Sequence, residues 1–344
     1  MQRFDTAHIA IVVLTLTFAV ASWAQAAGSV ERPLAGQRIR LVVGFGAGGG
    51  YDAYARLLAP HLKRETGATV VVENWPGGGG LVALNKGAAD RSDGLTLMLV
   101  NGPSATISQI LGREGVRYDL RELIWLGRVF AERNVILASP RSPYRSLADV
   151  AKADGVIRWA SAGKTTGAGV AALVSQALNL DSRIIIGYKG TNESSLAILR
   201  GEADLVPMSA TSAKQQSYEN GLMPIATVGQ ERSSLLPDVP TVFEQLDLSP
   251  EQAWWIEYGD GIMELGRAIA TSSHVTAERR DYLRRVIETI LTDPDVKREG
   301  NARGRPIEFA PASSLEASVN RALGNVDETT REQLKHVILE KFYP

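Results

Sequence analysis

The chain has 344 residues, 44% of them hydrophobic and 22% charged, a length and composition that favour two globular domains. Lys and Arg number 37 against 38 Asp and Glu, for a net charge of −1, so no long-range field draws nucleic acid or an anionic membrane face. With no cysteine and 4 histidines, disulfides, thiolate metal sites and cysteine nucleophiles are excluded, and a histidine metal site has little to draw on.

Met1–His8 carries Arg3 and leads into the apolar run Ile9–Val20, followed by the small-x-small tripeptide Ala24-Gln25-Ala26. The run is shorter than the ~20 residues a helix needs to cross a bilayer. Residues 1–26 are therefore expected to be a cleaved secretory signal, which places the mature chain in the periplasm. The missing cysteine excludes lipid attachment at the cleavage point.

Short apolar runs then alternate with helical patterns. Ile39–Val43 reads as a buried strand, Asp52–Glu65 as a helix, Thr69–Glu73 as a strand, Leu81–Ala89 as a helix and Thr96–Val100 as a strand. The rhythm restarts with strands at Asn134–Ala138, Ile157–Ala160, Ile184–Gly187 and Ala203–Val206. Helices are expected at Leu147–Ala153, capped by Ser146, and at Ala168–Leu178 and Ser194–Arg200. This is the pattern of parallel sheets with helices on their faces. Thr276–Thr292 is an amphipathic helix with Leu283, Val286, Ile287 and Ile290 on one stripe, and Ser314–Leu339 a second helical region broken near Gly324-Asn325. The expected division is one lobe from residues 27–132 and 229–344 and another from 133–228, with hinge crossings near Ala131–Arg133 and Val228–Gln230. Neither crossing has a flexible linker.

Four turns between strand and helix stand out. Gly44-Phe45-Gly46-Ala47-Gly48-Gly49-Gly50 contains GxGxxG, and Glu73 ends the next strand where a ribose-binding acid sits in dinucleotide folds. The same loop suits any small anion, because glycines let N–H groups converge at a positively polarised helix start. Asn74-Trp75-Pro76-Gly77-Gly78-Gly79-Gly80 follows the second strand and reads as a mobile loop beside a ligand mouth. Ser161-Ala162-Gly163-Lys164-Thr165-Thr166-Gly167 contains Gly-Lys-Thr, but Arg158 stands where a P-loop needs its first glycine. Tyr188-Lys189-Gly190-Thr191 opens another helix. Such turns at the carboxyl ends of parallel strands line the crevices of open α/β sheets. No GxSxG, HExxH or paired-carboxylate motif accompanies them, and His61, His274 and His336 read as structural or surface residues. Trp254-Trp255 suits either a pocket floor or a core.

Together these motifs resemble the substrate receptors of tripartite tricarboxylate transporters, the Bug proteins. The Phe-x-Ala-Gly-Gly-x-x-Asp loop is Phe45-Gly46-Ala47-Gly48-Gly49-Gly50-Tyr51-Asp52, and the V-V-E-N-x-P-G-x-G-G segment is Val71–Gly80. Ser161-Ala162-Gly163, Tyr188-Lys189-Gly190 and Leu236-Pro237-Asp238-Val239-Pro240-Thr241 match the remaining family segments. The resemblance implies a two-lobed periplasmic binding fold of type II, each lobe a mostly parallel sheet flanked by helices. It implies a non-catalytic, monomeric receptor without cofactor or metal that binds a small carboxylate and delivers it to a large and a small membrane subunit. The ligand-binding residues it implies are Phe45, Gly46, Ala47, Gly48, Gly49, Gly50, Tyr51, Asp52, Gly78, Ser161, Ala162, Lys164, Thr165, Thr166, Tyr188, Lys189, Gly190 and Thr191. This chain departs from the family pattern at Gly44 and Gly46, where prolines are usual, at Tyr51, where Thr or Ser is usual, at Lys164-Thr165, and at Gly169 in place of a His. A carboxylate sensor docking on a membrane kinase, or a nucleotide-binding oxidoreductase, are the alternatives. Asp52 is expected to cap the first helix, and Lys164 to pair with a second acidic group of the ligand.

Overall fold

In the computed structural model, which describes residues 32–131, 133–161, 167–188, 191–324 and 326–343, the apolar runs build two five-stranded sheets. The chain begins with β1 (Arg38–Val43), α1 (Gly50–Thr66), β2 (Thr69–Asn74), α2 (Leu81–Ala88), β3 (Thr96–Asn101), α3 (Gly102–Ile110) and β4 (Ile124–Phe130). It crosses into β5 (Asn134–Ala138), α4 (Leu147–Ala151), β6 (Ile157–Ser161), α5 (Gly167–Ala177), β7 (Ser182–Ile186), α6 (Thr191–Arg200), β8 (Leu205–Ser209), α7 (Ala210–Asn220) and β9 (Met223–Val228). After α8 (Val242–Gln245) and α9 (Pro250–Met263), β10 (Arg267–Thr271) returns to the first sheet. The tail adds α10 (Ala277–Thr292), α11 (Pro294–Ala302), α12 (Ala312–Gly324), α13 (Glu328–His336) and a π-helical turn over Val337–Lys341.

The sheets share one plan, β2-β1-β3-β10-β4 and β7-β6-β8-β5-β9. In the first, β1 pairs in parallel with β2 and β3, while β10 runs against both β3 and β4. In the second, β6 is parallel to β7 and β8, and β5 runs against β8 and β9. The reversed strand in each sheet is thus the one entered on crossing from the other. Reversal puts its first residue at the edge where the parallel strands end, so Asn134, Arg267 and the helix starts meet there.

The local signals explain the elements. Ser146 caps α4 with a reciprocal bond from Asp149, and Thr276 caps α10, which buries the expected stripe Leu283, Val286, Ile287 and Ile290. β8 runs through Pro207 in the middle of its sheet; its pairing with β6 is at Trp159↔Leu205, before the proline that lacks an N–H. One core packs β1 and α1 under α10, and another packs the second sheet with Ile107 of α3 and Trp255 and Ile256 of α9. The end of the chain joins that second core: Val337, Ile338 and Phe342 are buried in it, and Phe342 O accepts the Ile184 N–H at 2.7 Å. Residues 328–343 therefore pack on the second sheet, whereas the division expected from sequence groups all of 229–344 with the first.

Candidate functional site

Two glycine-rich loops lie back to back at the end of the first sheet. A Cβ on Gly44 would sit 2.8 Å from Gly80 Cα, so only hydrogen at that position lets the loops touch. Gly77, Gly78, Gly79 and Gly80 all have positive φ, which ties that segment to glycine for conformation as much as for space. Phe45 stacks on Tyr51 with ring centroids 4.7 Å apart. Gly46, Ala47, Gly48, Gly49 and Gly50 are exposed, and none of them is among the residues lining the cleft between the sheets.

Asp52 stands behind this loop. Its carboxylate accepts the Gly48 N–H at 2.9 Å and Arg56 Nε at 2.8 Å on Oδ2, and Asn74 Nδ2 at 3.0 Å on Oδ1. Asn74 Nδ2 also donates to Phe45 O at 3.0 Å. The bond from Arg56, with those from Gly48 and Asn74, outweighs burial and lowers the Asp52 pKa to about 2. Asp52 holds the loop but does not cap the helix: the N-cap is Gly49, and Asp52 lies in the first turn. The sequence expectation is corrected there, because the helix starts two residues earlier than the first polar cap candidate.

Between the sheets lies a cleft of about 380 Å³. It is ringed by the N-terminal turns of α1, α3, α5, α6 and α7, which present Tyr51, Ser104, Gly167, Thr191, Ser194 and Ser212. Asn101 and Ser209 cap α3 and α7 through bonds from Ser104 N and Ser212 N. Helix starts carry roughly half a positive charge each, so their convergence favours an anion without any net charge on the protein. Asp260 and Arg267 are the charged side chains of the lining among the described residues. Arg267 lies over the rings of Tyr51 and Tyr54, at 4.7 and 4.9 Å from their centroids. Asp260 accepts Arg133 Nη1 at 2.5 Å and Gln230 N at 3.2 Å; burial raises its pKa, against the pull of Arg133.

Of the residues expected at the site, Tyr51, Ser161 and Thr191 line this cleft. Phe45 supports Tyr51 from beneath, and Gly78 lies aside, its carbonyl accepting Arg113 Nη1 at 2.9 Å. Tyr188 is half-buried against the core of the second sheet and, among the described contacts, stands outside the cleft lining. Ala162, Gly163, Lys164, Thr165, Thr166, Lys189 and Gly190 fall outside the described residues. Sequence reasoning missed the contributions of α3, β8, α9 and Arg267. Trp255 could be found: it lines the cleft and packs in the core at once, whereas Trp254 is exposed at 37%. Glu73 does not face a nucleotide site. It accepts Trp75 Nε1 at 3.2 Å and faces Arg38 at 3.7 Å.

Residues 54–258 match the family model described as tripartite tricarboxylate transporter family receptor. A UPF0065 protein from the tcbD-tcbE intergenic region of Pseudomonas sp. (strain P51) is 26% identical over 215 residues, which cover 61% of this chain and 63% of that protein. A TctC solute binding protein from Polaromonas has the same fold at a TM-score of 0.67, with 18% identity over 89% of this chain and 99% of its own. A Rhodopseudomonas palustris protein solved with adipate gives a TM-score of 0.68 at 18% identity, covering 88% of this chain and 97% of its own. Among the described residues no helix is long and apolar enough to cross a membrane, and no cluster of His, Asp or Glu could hold a metal ion.

Proposed function

The chain belongs to the tripartite tricarboxylate transporter receptor family, solute-binding proteins and not enzymes, and from that premise we propose that it carries a small carboxylate in the cleft between its sheets to a membrane permease. The observation that carries this is the ring of helix N-termini around the cleft, which offers hydroxyls and N–H groups to an anion and, among the described residues, no acid–base pair for chemistry. The adipate held by the R. palustris protein of the same fold supports the choice of a carboxylate. We assign the carboxylate grip to the start of α1 with Tyr51, to Ser161, and to Thr191, with the exposed loop of residues 46–50 closing over it. The two sheets with their helices form the two closing lobes, joined at residues 131–133 and 229–230. The secretory signal and the periplasmic site of action belong to the same proposal, as do delivery to a large and a small membrane subunit and action as a monomer.

The test is thermal unfolding and calorimetry against a panel of carboxylates, with NAD as the contrasting ligand. At a concentration of about 100 times Kd a bound acid stabilises the native state by roughly 2.7 kcal/mol, which raises the melting temperature by a few degrees. A panel without effect beside a clear shift with NAD would overturn the proposal.

A further inference from the structure

Building on the carboxylate reading of the cleft, we propose that this receptor selects acids with one ionised group and an apolar body, aryl or medium-length alkyl, over di- and tricarboxylates. The walls away from the helix starts are apolar. Ile107 of α3, Leu173 of α5, Met208 of β8, and Trp255, Ile262 and Met263 of α9 face the same space, most of them buried in the cores of the lobes. A ligand lying there exchanges water for hydrocarbon and gains in proportion to its own apolar area.

The described charges point the same way. Arg267 is drawn over Tyr51 and Tyr54, and its Nη2 is 3.6 Å from where a Cβ on Gly50 would stand, so the guanidinium sits beside the start of α1 and adds its charge at that place and not elsewhere in the cleft. The other charged lining group, Asp260, is negative and already engaged by Arg133 and Gln230. A second ligand carboxylate placed along α9 would meet that like charge and the side chains of Trp255 and Ile262, which offer it nothing equivalent to its lost water. An ionised group buried without a partner is disfavoured far more than a methyl group in the same place.

Calorimetry on the full mature chain tests this with two matched series, butanoate to octanoate and succinate to suberate. Each added methylene should tighten the monoacids about fourfold, with a heat-capacity change that grows more negative along the series. A terminal second carboxylate should weaken binding at least tenfold against the monoacid of equal length. Diacids that bind as tightly as monoacids, or tighter, would overturn the inference while leaving the carboxylate receptor standing. In that event Lys164→Met tells whether the turn at residues 162–166 supplies the second cation. Failure of every acid in both series would instead remove the carboxylate reading on which the inference rests.

Discussion

Asp52 shows how one buried side chain can organise a loop. Its carboxylate gathers Gly48, Arg56 and Asn74, and Asn74 in turn holds Phe45, so two points of the first loop, together with α1 and the end of β2, depend on one ionised group. Asp52→Ala should cost about 1–3 kcal/mol in denaturant unfolding, as partners of a buried acceptor lose their bonds. It should also weaken ligand binding, while Asp52→Asn should retain part of both. Because the folded pKa is lowered to about 2, the stabilisation is full above the unfolded value of 3.8 and is lost as pH falls between the two. At most about 2–3 kcal/mol is at stake over that window, and it should be missing from the acid limb of Asp52→Asn. Gly44 makes a second residue-scale claim. Gly44→Ala puts a methyl 2.8 Å from Gly80 Cα and should separate the two loops, lowering stability by about 1–3 kcal/mol. An unchanged melting temperature for Gly44→Ala would show that the loops part freely.

Most strands were legible because they are short apolar runs between polar turns, and α10 because its buried stripe repeats at helical spacing. Among the elements missed, α3 and α9 matter most for the cleft. In α3 nearly every residue is buried, the sequence Gly-Pro-Ser-Ala-Thr-Ile-Ser mixes small and β-branched residues, and no polar face remains to give a period. α9 carries a good start signal, Ser249 with Pro250 and a reciprocal bond from Gln252, but Gly259 and Gly261 weaken its helical propensity. Read from sequence, β8 also ends at Val206, before Pro207, while the strand runs on to Ser209 because the ladder to β6 no longer needs that donor. These are the elements that supply the cleft's apolar walls, so the helix starts of α1, α5 and α6 could be read from sequence and those walls could not. The tail makes its own element-scale prediction. β7 is an edge strand, and Phe342 O covers it by accepting the Ile184 N–H. Ending the chain after His336 removes buried Val337, Ile338 and Phe342 and bares that edge. Several kcal/mol of stability should be lost, with concentration-dependent aggregation seen in light scattering. A truncated chain that melts with the full one would leave the tail without a structural role.

At the scale of the whole molecule, the two sheets are copies of one plan joined by a chain that crosses and returns, and α9 ties the crossings together. Arg133, just before β5, reaches Asp260 with one nitrogen and Glu231 with the other at 2.9 Å; Gln230, just after β9, donates its N–H to the same Asp260. Gly229 lies so close to that carboxylate, 2.5 Å from Oδ1 for an added Cβ, that a side chain there would displace it. The strand entering the second lobe and the strand leaving it are thus both fastened to one buried anion on a helix that packs against α3 and α5 of opposite lobes. Removing Arg133 leaves Asp260 buried without its cation, and Arg133→Met should therefore cost about 3 kcal/mol in unfolding. Asp260→Asn removes the charge that needs the partner, so it should cost less. The double variant should be more stable than the sum of the single losses implies, because the unpaired charge is gone. The same cycle measured on ligand affinity decides what the junction does. If it only holds the fold, affinity follows the fraction folded and returns with the double variant. If it sets the angle between lobes, ligand binding stays altered in a double variant of near-native stability, and small-angle scattering shows a changed radius of gyration without ligand. Simple additivity of the two single losses would show that Arg133 and Asp260 are neighbours without coupling, and the hinge would then have to be sought at Gly266, where the chain turns from α9 into β10.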